Sequence, residues 1–215
     1  MSGIKHVAGG EIRAVVVIVD DDADIRDALS NLFGSIDLNV VVFGSAAEMM
    51  ETQLPAAPCC LVLDIRLPGI GGLEFQSQLA RAGVRVPIVF MTGHGDIPMS
   101  VRAMKAGAVD FLTKPFRDQD MIDAVSIAIE QDKKRRKQDE TADNLQGLYR
   151  SLTPRESEVM WFVTKGKLNK QIAGEMGLAE ITVKIHRGNM MRKMGATSVA
   201  ELARMAESLG IHLDS

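Results

Sequence analysis

Five residues in the first half of the chain have the types and spacing needed to handle a phosphoryl group. Asp20 and Asp21 close the apolar run VVVIV, Asp64 follows CCLVL, Thr92 follows IVFM, and Lys114 with Pro115 follows DFLT. In an open parallel sheet, residues just past the carboxyl ends of neighbouring strands converge on one crevice. Three carboxylates, a hydroxyl and an ammonium meeting there compose a magnesium-dependent phosphoryl-acceptor site. Magnesium prefers oxygen ligands in octahedral geometry, usually one or two carboxylates with phosphate and water. Asp21 and Asp64 are expected to bind it directly, with Asp20 assisting through water or orientation. Asp64 stands alone at its strand end, opposite the acidic pair. It is the candidate nucleophile, because a carboxylate can itself be phosphorylated to an acyl phosphate. Thr92 would hydrogen-bond one phosphoryl oxygen and Lys114 would neutralise another. The added charge of about −1.5 to −2 near neutrality is enough to draw both toward it. Taken singly, Asp20–Asp22 would be expected to cap the following helix. The joint placement at successive strand ends is what favours the site.

The elements that must position these residues alternate. Strands are expected near Ala14–Val19, Val40–Phe43, Leu61–Leu63, Ile88–Met91 and Asp110–Leu112, separated by segments of helical period such as DIRDALSNLFGSI and IPMSVRAMKAG, the latter closed by Gly107. Ser45 with Glu48 forms a capping box for the helix after the second strand. Five continuously apolar strands joined by amphipathic helices give an α/β doubly wound parallel sheet covered on both faces.

The 215 residues suffice for two domains, and no apolar run approaches the ~20 residues of a membrane span. A soluble, cytoplasmic protein is expected. Adjacent Cys59 and Cys60 are read as buried reduced thiols, ahead of a vicinal disulfide or a metal site. The 13 methionines are read as gap-fillers. The net charge of −3 hides a division: residues 1–125 carry −6, residues 126–150 carry +1 and residues 151–215 carry +2. From about Arg117 the pattern stays helical, either as one helix of roughly 40 Å or as a helix fraying into a linker, with Gly147 expected at its end. The run KKRRK is read as a solvated helical face, with phosphate contact the alternative.

A new unit begins at Leu152. Thr153-Pro154-Arg155-Glu156 supplies an N-cap, a proline at the first helical position and a capping-box glutamate. NKQIAGEM, a break at Gly177, ITVKIHRGNMMRKM closed by Gly195, and a last helix capped by Ser198 and Glu201 complete an all-α, four-helix helix-turn-helix domain. The segment Ile181–Met194 carries Lys184, Arg187, Arg192 and Lys193 and no acid, which suits a helix lying in a DNA major groove.

Together VDDDADIR, LDIRLPGIGGLEF, MTGHGDIPMSVRAMKAGAVDFLTKPF and ITVKIHRGNMMRKMGATSVAEL resemble a FixJ-type response regulator, a receiver domain joined to a LuxR/NarL-type DNA-binding domain. The expected boundaries are 12–125 for the receiver, 126–148 for a connector and 149–215 for the DNA-binding domain. The resemblance implies the flavodoxin-like strand order 2-1-3-4-5, with Asp64 as phosphoacceptor. It implies Mg2+ or Mn2+ held by Asp20, Asp21, Asp64 and the backbone carbonyl of Arg66, and a cis Lys114–Pro115 bond. Lys184, Ile185 and Gly188 would face bases, and Arg187, Asn189 and Lys170 would contact the DNA backbone, with Thr182, Arg192 and Lys193 on the same interface. Phe111 stands where many receivers carry tyrosine and can still couple to Thr92, without a hydroxyl. His94 and His186 are read as structural or as a phosphate contact.

The implied partners are a sensor histidine kinase, double-stranded promoter DNA, a second copy of the chain pairing through Ile97–Ala106 and Val109–Phe111 on phosphorylation, and RNA polymerase; no membrane is implied. Two other readings stand beside this one. The receiver could serve unphosphorylated as a dimerisation module. Asp64 could be the turnover nucleophile of a phosphotransferase, although haloacid-dehalogenase-type enzymes need an acid two residues on, where this chain has Arg66.

Overall fold

The computed structural model describes residues 13–93 and 97–211. The chain divides into two compact units, Met1–Arg136 and Lys137–Ser215. In the first, strands and helices alternate: β1 (Val15–Val19), α1 (Ala23–Gly34), β2 (Asn39–Phe43), α2 (Ala46–Met50), β3 (Cys59–Asp64), α3 (Gly72–Arg81), β4 (Ile88–Thr92), α4 (Ile97–Lys105), β5 (Asp110–Thr113) and the start of α5 (Asp118–Arg150). The strands form one parallel sheet in the order β2-β1-β3-β4-β5.

Side chains alternate across this sheet, so the apolar runs feed two separate cores. Val15, Val17, Val19, Leu61, Leu63 and Phe90 pack on one face with Phe75 and Leu79. Val16, Ile18, Val62, Val89 and Met91 pack on the other with Leu29, Phe33, Met121 and Val125. Each such buried side chain contributes about 1.5–3 kcal/mol relative to exposure. Cys59 lies in the first core and Cys60 in the second, so the adjacent thiols point apart, and both are free. Only β2, at the sheet edge, leaves Val41 and Val42 exposed.

The second unit holds α6 (Pro154–Thr164), α7 (Asn169–Met176), α8 (Glu180–Met194) and α9 (Val199–Ser208) around Val159, Met160, Val163, Ile172, Val183, Met190, Met194 and Leu202. The expected capping box of α6 forms: Glu156 N–H donates to Thr153 Oγ1 at 3.3 Å, and Thr153 N–H donates to Glu156 Oε2 at 2.8 Å. Gly177 ends α7 and Gly195 ends α8, both at positive φ where a side chain would be strained.

Helix α5 is continuous for 33 residues, and the expected domain limits at 125 and 149 both fall inside it. Gly147 does not end it. Leu145, Leu148, Tyr149 and Leu152 pack on the core of the second unit, and that burial outweighs the ~1 kcal/mol helix penalty of one glycine.

The KKRRK run also differs from a wholly solvated face. Asp132, just before it, is fully buried. Its carboxylate accepts from Cys59 N–H at 2.9 Å, from Arg135 Nη2 at 2.6 Å and from Arg136 Nε at 2.6 Å. Arg136 also donates to the carbonyls of Ala56 at 2.7 Å and Pro55 at 3.2 Å. The cluster fastens α5 to the loop that enters β3. Burial works against the charge on Asp132, but the hydrogen bonds from Arg136, Cys59 and Arg135 outweigh it and hold the carboxyl below the usual aspartate range.

Asp132→Ala, which leaves two guanidiniums and a buried amide without their acceptor, is expected to cost about 3 kcal/mol of unfolding free energy near neutral pH. The depressed pKa makes this contribution fully present above the unfolded aspartate value of ~3.9 and lost as pH falls through the lower folded value. Urea titrations of both proteins at neutral and acid pH check it: the gap between them should narrow only below about pH 4.

Candidate phosphoacceptor site and nucleic-acid interface

The parallel strands bring Asp20, Asp64 and Thr92 to one edge of the sheet. Asp20 follows β1, Asp64 ends β3 and Thr92 ends β4; Asp20 and Thr92 are fully buried and Asp64 nearly so, while Asp21 is exposed. Lys114, one residue past β5, reaches across them. Its Nζ donates to Asp20 Oδ2 at 2.6 Å and to Asp64 Oδ2 at 2.7 Å. Its backbone N–H donates to the Thr92 carbonyl at 2.7 Å. The Lys114–Pro115 peptide bond is cis. One residue therefore joins the ends of β1, β3, β4 and β5.

The remaining aspartate of the DDD run caps α1: Asp22 Oδ1 accepts from Asp24 N–H at 2.9 Å and Ile25 N–H at 3.4 Å. Capping and site formation thus divide among the three acids. Asp20 is further held from below, since Asp22 N–H donates to its Oδ1 at 2.9 Å, and Arg26 donates to its carbonyl at 2.6 Å.

Burial raises the Asp20 pKa against the lowering effect of Lys114 and the Asp22 amide. Burial also opposes the charge on Lys114, but its hydrogen bonds to Asp20 and Asp64 outweigh this and lift its pKa above the usual lysine value. Carboxylate oxygens of Asp20, Asp21 and Asp64 all lie within 4.8 Å of one another. Against three negative charges Lys114 supplies one positive charge, so the cluster keeps an excess that a divalent cation would balance, and its all-oxygen donor set fits magnesium or manganese. The Arg66 amide donates to Asp64 Oδ1 at 2.8 Å, which fixes the carboxylate orientation from the loop after β3. Phe111, opposite Phe90 in the β4–β5 register, is partly buried against the first core. His94 lies outside the described residues.

Gly72 is a positioning residue that sequence reasoning missed. A Cβ there would stand 2.5 Å from the Asp64 carbonyl oxygen and 2.9 Å from Ile65 Cα, and the Gly72 amide donates to the Ile65 carbonyl at 2.8 Å. The first residue of α3 thus lies directly against the backbone of Asp64. The only sequence signal was the GIGG run, which a loop explains equally well.

In the second unit, α8 starts at Glu180, one residue earlier than expected, and so contains an acid. Lys184 pairs with Glu180 at 3.2 Å. Arg187 donates to Asn169 at 2.9 Å, which ties α8 to α7, and Arg192 donates to Asn189 at 2.8 Å. Lys193 donates to Glu156 at 2.6 Å and to the Ser151 carbonyl at 3.0 Å. The Lys193 and Thr153 hydrogen bonds hold Glu156 below the usual glutamate range. The charge of Lys193 is therefore engaged inside the domain, where it braces the α6 capping box. Lys170, in the first turn of α7, is exposed, as are Lys184, Ile185 and Arg192 on α8.

Comparison with known proteins agrees with both halves. Residues 16–126 match the family model of the response regulator receiver domain, and residues 150–206 match that of the bacterial regulatory proteins of the luxR family. Nodulation protein W of Bradyrhizobium diazoefficiens is 57% identical over 199 residues, covering 93% of this chain and 88% of that protein. The transcriptional regulatory protein FixJ of Azorhizobium caulinodans is 38% identical over 196 residues, covering 91% and 93%. The solved structure of the response regulator StyR superposes with a TM-score of 0.85 at 47% identity, covering 91% of this chain and 98% of that one. Among the described residues no helix is long and apolar enough to cross a membrane. With an acidic cluster bridged by a lysine on a 2-1-3-4-5 sheet, a helix-turn-helix unit following in sequence and relatives matching along nearly their whole length, the chain belongs to the FixJ-type response regulators, two-component transcription regulators with a receiver domain and a LuxR-family DNA-binding domain.

Proposed function

We propose that Asp64 accepts a phosphoryl group from a sensor histidine kinase and that this modification controls binding of the LuxR-type domain to promoter DNA. The observation that carries the reading is the Lys114 ammonium, 2.6 Å and 2.7 Å from the two buried carboxylates of Asp20 and Asp64. Such a bridged, partly uncompensated cluster suits phosphoryl chemistry, in which charge must be neutralised during transfer. Asp20, Asp21, Asp64 and the Arg66 carbonyl would hold Mg2+ or Mn2+, which when bound supplies charge neutralisation for the phosphoryl oxygens. A carboxylate oxygen of Asp64 attacks phosphorus as the bond to the donor breaks. Lys114 stays within reach of the new oxygens and Thr92 offers a hydroxyl.

Lys114 joins four strand ends, so added charge on Asp64 is transmitted to β4 and β5. Phe111 and the exposed Ile97, Val101 and Met104 of α4 lie along that route, which supports pairing of two receivers through α4 and β5. Two DNA-binding domains would then meet half-sites about one helical turn apart. Lys184, Ile185 and Gly188 face bases in this scheme; Lys170, Thr182, Arg187, Asn189 and Arg192 lie toward the DNA backbone, and Lys193 acts from within the domain. RNA polymerase is the further partner that a promoter-bound regulator implies. Residual phosphoryl chemistry at Asp64 is limited to self-phosphorylation from small donors and slow hydrolysis.

Intact mass after treatment with acetyl phosphate and magnesium is expected to rise by one phosphoryl group in the wild type. Asp64→Ala, and wild type with EDTA, should show no gain. Light scattering on the same samples should report a monomer-to-dimer shift in the first sample alone. Phosphorylation that leaves both dimerisation and DNA affinity unchanged would refute the switch.

Lys170→Ala should weaken binding to all duplexes alike and lower the slope of log affinity against log salt by about 1. Lys193→Ala should instead lower the melting temperature of the second domain by several degrees, since it leaves the buried Glu156 without its cation; calorimetry separates the two outcomes.

A further inference from the structure

Two large apolar side chains stand exposed on α8 in a position the domain core does not use. Ile181 is 64% exposed and Ile185 is 57% exposed. At about 100° per residue, Val183, Met190 and Met194 fall on one side of the helix, and all three are fully buried. Ile181, Lys184, Ile185, Gly188 and Arg192 fall together on the opposite side. The outward stripe thus mixes two β-branched side chains with two cations and one residue without a side chain. Such a stripe fits a polyanion that carries apolar groups in its recess. The major groove of DNA has that character: its walls are phosphates, and its floor presents the thymine methyl.

We infer that Ile181 is a specificity-determining residue that reads a thymine methyl group, one helical turn before Ile185, which faces bases in the proposed scheme and would meet a second methyl. The inference rests on the proposed function, since it requires α8 to lie in the groove. Two residues four apart on a helix have Cβ atoms about 6 Å apart, and bases rise about 3.4 Å per step along a strand. The two isoleucines therefore address thymines one or two base pairs apart in each half-site. Lys184, between them in sequence and 3.2 Å from Glu180, would bring hydrogen-bond donors to the same floor. Gly188 leaves room for the helix to approach. Position 181 is not required for folding, because its side chain packs into no core.

The test uses the full chain treated with acetyl phosphate and magnesium. Preferred sites are first selected from a random duplex pool. Each thymine of the selected half-site is then replaced in turn by uracil, which removes the methyl group and nothing else. Affinities are measured for the wild type, Ile181→Ala and Ile185→Ala. For the wild type, uracil at two positions one or two base pairs apart should weaken binding about fourfold each, the factor corresponding to one buried methyl. Ile181→Ala should lose its sensitivity at one of these positions and keep it at the other, with Ile185→Ala showing the reverse. Wild-type affinity indifferent to every uracil would overturn the inference while leaving DNA binding intact. So would Ile181→Ala remaining as sensitive as the wild type at both positions. A pool in which no sequence is enriched would overturn the DNA-binding reading and this inference with it.

Discussion

The ammonium of Lys114 is the point on which the first unit's functional edge depends. A parallel sheet sends all its carboxyl ends the same way, and here three of the side chains delivered to that edge are acids. At separations under 5 Å such charges repel strongly in a partly desolvated site. Lys114 relieves this by bonding to Asp20 and Asp64 at once, while its own amide is fixed to the Thr92 carbonyl. The position of the chain after β5 is thus set by charges at the ends of β1 and β3. A change of charge at Asp64 necessarily alters the balance of forces on the β4–β5 edge. That link needs no chain of intermediates, because a single residue touches the ends of β1, β3, β4 and β5.

Among the described residues of this unit lie two buried carboxylate centres, and their electrostatics separate structural from chemical roles. Asp132 receives two guanidiniums and a backbone amide, and its pKa is lowered; its charge is more than compensated. Asp20 shares one ammonium with Asp64, and its pKa is raised, with burial the leading cause. A compensated charge holds parts together and has nothing left to bind. An under-compensated cluster at the mouth of a sheet retains affinity for a cation and sensitivity to new charge. The two groups belong to the same residue type, and the donors around each, together with the second carboxylate beside Asp20, set them apart.

That distinction explains which features could be read from the residues alone. The strands were legible because β1, β3 and β4 are buried on both faces and their runs are apolar throughout. The acidic pair, Asp64, Thr92 and Lys114 were legible because each ends an apolar run, and topology makes strand ends converge. Asp132 was not. An aspartate three and four residues ahead of two arginines has the spacing of an ordinary surface pair on a helix. What engages it is the Cys59 amide and, through Arg136, the loop at Pro55 and Ala56, all more than seventy positions away in sequence. Lys193 misled for the same reason, since its partner Glu156 belongs to another helix. Gly147 misled because its intrinsic helix penalty is small beside the packing of Leu145, Leu148 and Tyr149. Local chemistry was readable, but partners supplied by the tertiary fold were not.

The same pairings change how the recognition helix works. Counting charges gives α8 four cations, but Lys193 is paired with Glu156 and Lys184 lies beside Glu180, while Arg187 keeps its charge although its hydrogen bond to the neutral Asn169 orients it. The positive potential of the helix is therefore lower than its four cations imply, and in the proposed scheme the sequence-independent part of its DNA affinity, which scales with the phosphates neutralised, is reduced accordingly. Joining two such domains makes the second binding event intramolecular and multiplies their affinities without any new contact to DNA. In the proposed scheme this weakness is what makes control effective: when one recognition helix binds poorly, occupancy depends on whether the receivers have paired, and a charge placed on Asp64 can decide it.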